Sequence, residues 1–261
     1  MKCKSGKNRG KRNACFFLGI LSLVTVVLCL SASCNADGRK AQKYEYGVFL
    51  NADRTAVPKL KNYETVVIDA QYFSKKDIRK LHADGTKVYS YLNIGSVENF
   101  RPYYKTYEHL AIGDYENWEE EKWVNVADKD WQEFMDTLAG KLKKKGVDGF
   151  FIDNCDVYDY AHKKDIFDGL TVILKKIRAM GKPVVVNGGD IYVTAYQSRY
   201  GSAADIMTGV NQESVWSRID FTTKTFHTQK KRSGSISASI CRHAKRMEWM
   251  FICWNTRQTI N

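Results

Sequence analysis

The sequence predicts an α/β fold, a (β/α)8 TIM barrel that stops at about six of its eight strands. Three observations carry this. Six short apolar runs alternate with amphipathic helical stretches, the pattern of a parallel sheet covered on both faces. Each run ends in, or is followed within three residues by, an amide or a carboxylate: Asn51, Asp69, Asn93, Asp153, Asn187 and the triplet Asn211-Gln212-Glu213. After Lys231 the pattern stops. In a parallel barrel, side chains just past the carboxyl ends of the strands share one mouth, where such folds place their chemistry. An acid or amide after a strand is also a common turn residue or helix N-cap. Recurrence in one register favours the shared mouth.

The first strand is expected at about 46–50 and the second at 65–69. A helix over 74–84 follows, with Ser74 as N-cap, Asp77 three residues on and Gly85 as its stop. The third strand spans about 87–92. Residues 93–127 read as a long aromatic segment containing Phe100, Tyr103, Tyr104, Tyr107, Tyr115, Trp118 and Trp123. Loops of that length are uncommon unless functional, and aromatic faces either stack on sugar rings or pack over the barrel. A helix over 128–145 carries Trp131, Phe134, Leu138 and Leu142 at helical spacing, a core stripe. The fourth strand, 147–153, follows Gly146. Helix 163–180, a fifth strand at 183–187, a helix from about 191 and a sixth strand at about 206–210 complete the series.

The 261 residues begin with a segment outside this domain. Lys2, Lys4, Lys7, Arg9, Lys11 and Arg12 precede an uncharged, mostly apolar stretch from Ala14 to Leu30, then Ser-Ala-Ser-Cys34. Residues 1–34 therefore read as an export leader, with Cys34 where a bacterial lipoprotein would carry its lipid. Residues 35–43 are a polar tether, 44–231 the barrel and 232–261 an aberrant tail. The expected location is extracellular or at the bacterial cell surface, with membrane contact only through the leader or lipid.

The formal charge of +12 would suggest nucleic acid, but its placement excludes that. The first 12 residues hold six Lys or Arg and no acid, and residues 230–261 hold seven against Glu248 alone. The body between them is balanced, with no phosphate-binding footprint. Of seven cysteines only Cys155 lies in the body, so neither a disulfide framework nor zinc-ligand spacing is present. No metal or organic cofactor is implied.

The densest chemical cluster is Gly149-Phe-Phe-Ile-Asp153-Asn154-Cys-Asp156. Asp153 and Glu213, on non-adjacent strand ends, can face each other across a bound substrate. Glycoside hydrolysis needs such a pair, one acid for the leaving oxygen and one carboxylate as nucleophile or as base for water. Asp69, Tyr91, Asn93, Asn154, Asp156 and Asn187 would line the same bowl. Tyr46-Gly-Val-Phe-Leu, Val66-Val-Ile-Asp69, Tyr91-Leu-Asn-Ile-Gly-Ser-Val-Glu98, Gly149-Phe-Phe-Ile-Asp-Asn154 and Val210-Asn-Gln-Glu213 resemble the endo-α-1,4-polygalactosaminidase family of glycoside hydrolases over about residues 44–228. The resemblance implies an extracellular TIM barrel acting on an α-1,4-linked galactosamine-containing exopolysaccharide. It also implies Asp153 as nucleophile or base, Glu213 as proton donor, and Asp69, Asn93 and Asn187 in contact with substrate. A non-catalytic carbohydrate-binding envelope protein on the same barrel is the competing class.

The tail carries a further signal. Shifting Met247–Asn255 back by one nucleotide forces Gly, Asp, Val, Leu and Glu from the fixed Met and Trp codons, whatever the synonymous choices. That frame reads as an apolar strand ending in Glu, the missing repeat unit. The simple reading of the tail is a genuine C-terminal extension; the sharper one is a frameshift near the codons for Lys230 to Ser233, and with it a product of reduced folding and activity.

Overall fold

The computed structural model describes residues 43–213, 217–220, 222–223, 225–228 and 250–253. The leader with Cys34 and most of the tail lie outside them. The strands are β1 (Tyr44–Phe49), β2 (Tyr63–Ile68), β3 (Lys87–Asn93), β4 (Ser96–Glu98), β5 (Ala111–Asp114), β6 (Glu121–Val124), β7 (Gly149–Asp153), β8 (Val184–Asn187), β9 (Gly209–Gln212), β10 (Ser217–Asp220), β11 (Thr225–Thr228) and β12 (Met250–Cys253). The α-helices are α1 (Val57–Leu60), α2 (Lys75–Ala83), α3 (Tyr104–Tyr107), α4 (Lys129–Lys145), α5 (Val157–Tyr160), α6 (Lys164–Ala179) and α7 (Asp190–Tyr200).

One parallel sheet runs in the order β1-β2-β3-β7-β8-β9-β12. This is an incomplete TIM-like barrel, with all six expected strands in place. Met250–Cys253 adds a seventh, a run of apolar residues laid along the edge of β9 from within the tail. The helical signals hold locally as well. Ser74 and Asp77 form the reciprocal capping box at the start of α2, and Gly146 closes α4 with φ 104°, a left-handed conformation that a Cβ disfavours.

Strand periodicity divides the side chains between two cores. Val66, Ile68, Val88, Leu92, Phe150, Ile152, Val184, Val186 and Val210 face the helices, where Ile78, Trp131, Leu142, Leu170 and Ile173 meet them. Val48, Val67, Tyr89, Tyr91, Phe151 and Val185 fill a separate interior cluster. Two residues further along each strand, on that same inner face, come Asp69, Asn93, Asp153 and Asn187. Register aligns them: Asn93 lies beside Asp153 and Asn187 beside Asn211. The strand-end acids and amides thus form one layer above an apolar plug.

The aromatic segment after β3 is not a structureless loop. It forms a small antiparallel sheet in the order β4-β6-β5, with two short helical turns between β4 and β5. Tyr103, Tyr107, Trp131 and Phe134 pack together beneath it, and Trp131 Nε1 donates to Ile94 O at 2.9 Å. Among the described residues no helix is long and apolar enough to cross a membrane.

Candidate active site

Strands β7 and β8 and the residue after β9 bring Asp153, Asn187 and Glu213 together. The Asn187 Nδ2 donates to Asp153 Oδ1 at 3.0 Å and to Glu213 Oε1 at 3.2 Å. Those two oxygens therefore lie no more than about 6 Å apart, and about 5 Å apart for a trigonal amide nitrogen. Asp153 takes further hydrogen bonds from the Asn154 backbone N–H at 3.0 Å and from Tyr91. Burial raises Asp153 to about 6, against the lowering effect of Asn187; Glu213 beside it raises it further. Glu213 is also raised by burial, with Asn187 opposing.

Of the other residues expected in the bowl, Tyr91 bonds to Asp153, and Asn93, Asn154, Asp156 and Asp69 are held by protein partners. Asn93 (3 % exposed) and Asn154 (4 % exposed) both donate through Nδ2 to Glu121 Oε2 at 3.3 Å and to Ser96 Oγ at 2.7 and 3.0 Å. Ser96 Oγ donates to the same Glu121 oxygen at 2.6 Å. Tyr115 OH donates to Asn154 Oδ1 at 3.1 Å. Asn154 holds φ 65°, a left-handed conformation that Asn tolerates better than most residues. Asp156 accepts from the Gly189 N–H, and burial together with the Asp153 charge lifts it to about 7. Asp69 is buried, capping the turn after β2 through Gln71 N and pairing with Arg101, which also forks onto Glu98. Its charge is answered by protein.

Glu121, the first residue of β6, was not among the expected site residues. Burial raises it to about 7, with Glu98 and Asp153 adding to the shift. Asp190, at the start of α7, is lifted to about 6 by burial. Glu121, Asp153, Asp156, Asp190 and Glu213 therefore all have a raised affinity for a proton.

Close backbone approach holds this layer together. A Cβ on Gly95 would stand 1.8 Å from the Asn154 carbonyl oxygen, so only glycine lets the β3–β4 turn touch the loop after β7. Gly95→Ala is expected to cost at least about 1–3 kcal/mol by overpacking, read as a lowered melting temperature. A variant that melts with the parent would show that the two loops do not meet.

The model of glycoside-hydrolase family GH114 matches residues 30–199. The chain belongs to that family. No curated protein matches it. Among solved structures, the glycoside hydrolase domain of PelA from Pseudomonas aeruginosa superposes with a TM-score of 0.65 at 14 % identity, over 81 % of this chain and 82 % of that one. Aspergillus fumigatus Ega3, solved with galactosamine, gives 0.62 at 18 % identity over 85 % and 80 %. At such identities the likeness speaks for the fold, in agreement with the barrel built above.

Proposed function

We propose that this GH114 member hydrolyses an α-1,4-linked galactosamine-type exopolysaccharide by a two-carboxylate mechanism with retention of configuration. The observation that carries the reading is the single Asn187 nitrogen bonded to both Asp153 and Glu213. Retaining glycosidases keep their carboxyls about 5–5.5 Å apart, whereas inverting ones need about 6.5–9.5 Å to seat a water. The bridge keeps the two bonded oxygens no more than about 6 Å apart, short of the inverting spacing.

Roles follow from the donors. Asp153 receives Asn154 N–H, Asn187 and Tyr91, whereas Glu213 receives Asn187. Donors favour the charged form. Asp153 is therefore the ionised nucleophile, and Glu213 holds the proton that goes to the leaving oxygen. Water, deprotonated by Glu213 in the second step, then releases the sugar from Asp153. An amino sugar carries a positive charge at neutral pH. The further acids near Asp153, Glu121 and Asp156 with Asp190 beside the latter, would attract it over neutral hexoses. Stacked Tyr115 and Trp123, ring centroids 4.0 Å apart, stand beside Asn154 as an aromatic wall. A polymer outside the cell suits an exported form, secreted or lipid-attached, that the leader and Cys34 suggest.

Incubation with deacetylated α-1,4-galactosamine polymer should release oligosaccharides whose new reducing ends are α when first formed, read by proton NMR. Initial β products would replace the retaining scheme with an inverting one. Binding without release, by a chain shown to be folded, would support the carbohydrate-binding alternative. The incomplete sheet, in which β1 and β12 are the two edges and do not pair with each other among the described residues, gives that alternative its footing.

A further inference from the structure

Asn187 can serve two carboxylates only if its amide is held one way round. Asp153, ionised, only accepts, so the face of Asn187 toward it must be the NH2, which Glu213 also meets through an accepting oxygen. Its oxygen then points the other way and needs a donor. That donor is Asn211 Nδ2, at 2.6 Å, from the neighbouring residue on β9. Asn211 is 0 % exposed and lies on the inner face of the sheet, beneath Glu213. Its own Oδ1 has no hydrogen-bond partner among the described residues, so the side chain is oriented at some cost by its one bond to Asn187.

We propose that Asn211 is a positioning residue, locking the Asn187 amide so that one nitrogen faces both members of the reacting pair. The lock does two things. It fixes the spacing of Asp153 and Glu213, and it delivers one N–H to each, so that moving the proton between steps leaves the bridge intact. The inference rests on Asp153 and Glu213 being the reacting pair, and it extends that assignment to a residue out of reach of the substrate. An acceptor at position 211 would draw the Asn187 NH2 toward itself. The Asn187 carbonyl would then face two carboxylates, raising the proton affinity of both.

The test compares Asn211→Asp, which reverses the bond, with Asn211→Ala, which removes it without adding charge. Both are expected to lose about 10²-fold in kcat/KM on the galactosamine polymer, the scale of a small misplacement of reacting groups. Both should also move the acidic limb of the pH–rate profile up by about one unit, the aspartate variant further. A merely structural role would lower the amount of folded enzyme and leave that limb where it was. Folded variants with the parent's limb overturn the proposal. Where neither variant folds, nitrogen-15 NMR of the unaltered chain decides. The two Asn187 side-chain protons should shift together as the carboxylates titrate between about pH 4 and 8, and an invariant resonance overturns it. This readout needs no turnover, so absence of activity on the polymer would count against the substrate alone.

Discussion

Asp153→Asn is expected to lower kcat/KM by at least about 10⁴-fold while leaving the chain folded. The amide fills the same space above Phe151 and keeps the Asn154 N–H and Tyr91 as neighbours, but it offers no anion to attack the anomeric carbon. Glu213→Gln should cost about 10²–10⁴-fold, because it removes only proton transfer. The two differ in what restores them. A substrate with a good leaving group needs no proton donor, so it should revive the first step of the Glu213 variant and leave the Asp153 variant inert. With azide present, Asp153→Ala should give a glycosyl azide of inverted configuration and Glu213→Ala one of retained configuration, since only the latter passes through a sugar bonded to Asp153. An Asp153→Asn enzyme within tenfold of the parent, or azide products of the same anomer from both variants, would end the assignment.

The layer of strand-end acids and amides was legible because a strand repeats every two residues. Val67 and Asp69, Tyr91 and Asn93, Phe151 and Asp153, and Val185 and Asn187 each keep the same offset from plug to mouth, so an apolar run ending in an acid already says which way the acid points. Glu121 follows no such rule. It opens a four-residue strand in an insertion, and its place beside Asp153 depends on the Asn93–Ser96 turn, the left-handed Asn154 and the glycine at 95. Only the alternation of Glu121 and Trp123 hinted at a strand there. Asp69 shows the converse. Its strand-end position was plain, but Arg101, brought back by the insertion from 32 residues away, occupies one oxygen and the turn after β2 the other. The seventh strand was hidden for a different reason: in-frame Met250–Cys253 is apolar enough to pair with β9, although the surrounding tail breaks the helix–strand rhythm.

The buried acids should also make the fold acid-stabilised, with a melting temperature higher at pH 5 than at pH 8. Glu121 and Asp156 are raised to about 7 and Asp153 and Asp190 to about 6, in each case chiefly by burial. A carboxyl raised in the folded state binds its proton more tightly there than in the unfolded chain. Its contribution is complete below the unfolded value, near 4, and is lost as pH rises through 6 and 7. The lowered groups, Asp53, Asp77, Asp205 and Asp220, act in the opposite sense, but only below about pH 4. Across the window between, the raised acids decide the sign. Because several are partly open to water, one net proton over two pH units is a fair allowance, about 2.7 kcal/mol. At about 2–4 °C per kcal/mol for a domain of this size, the melting temperature should fall by about 5–10 °C from pH 5 to pH 8. Asp156→Asn should flatten that slope, since it deletes a buried charge without adding one, and should raise stability at pH 8. The same charges predict how a ligand behaves. A galactosamine oligomer supplies cations to ionised carboxylates, so it should raise the melting temperature more at pH 8 than at pH 5, despite losing part of its own charge at the higher pH. A neutral galactose oligomer should not reverse the slope. A melting temperature that is flat or rising from pH 5 to pH 8 would mean that water or counter-ions already reach these acids.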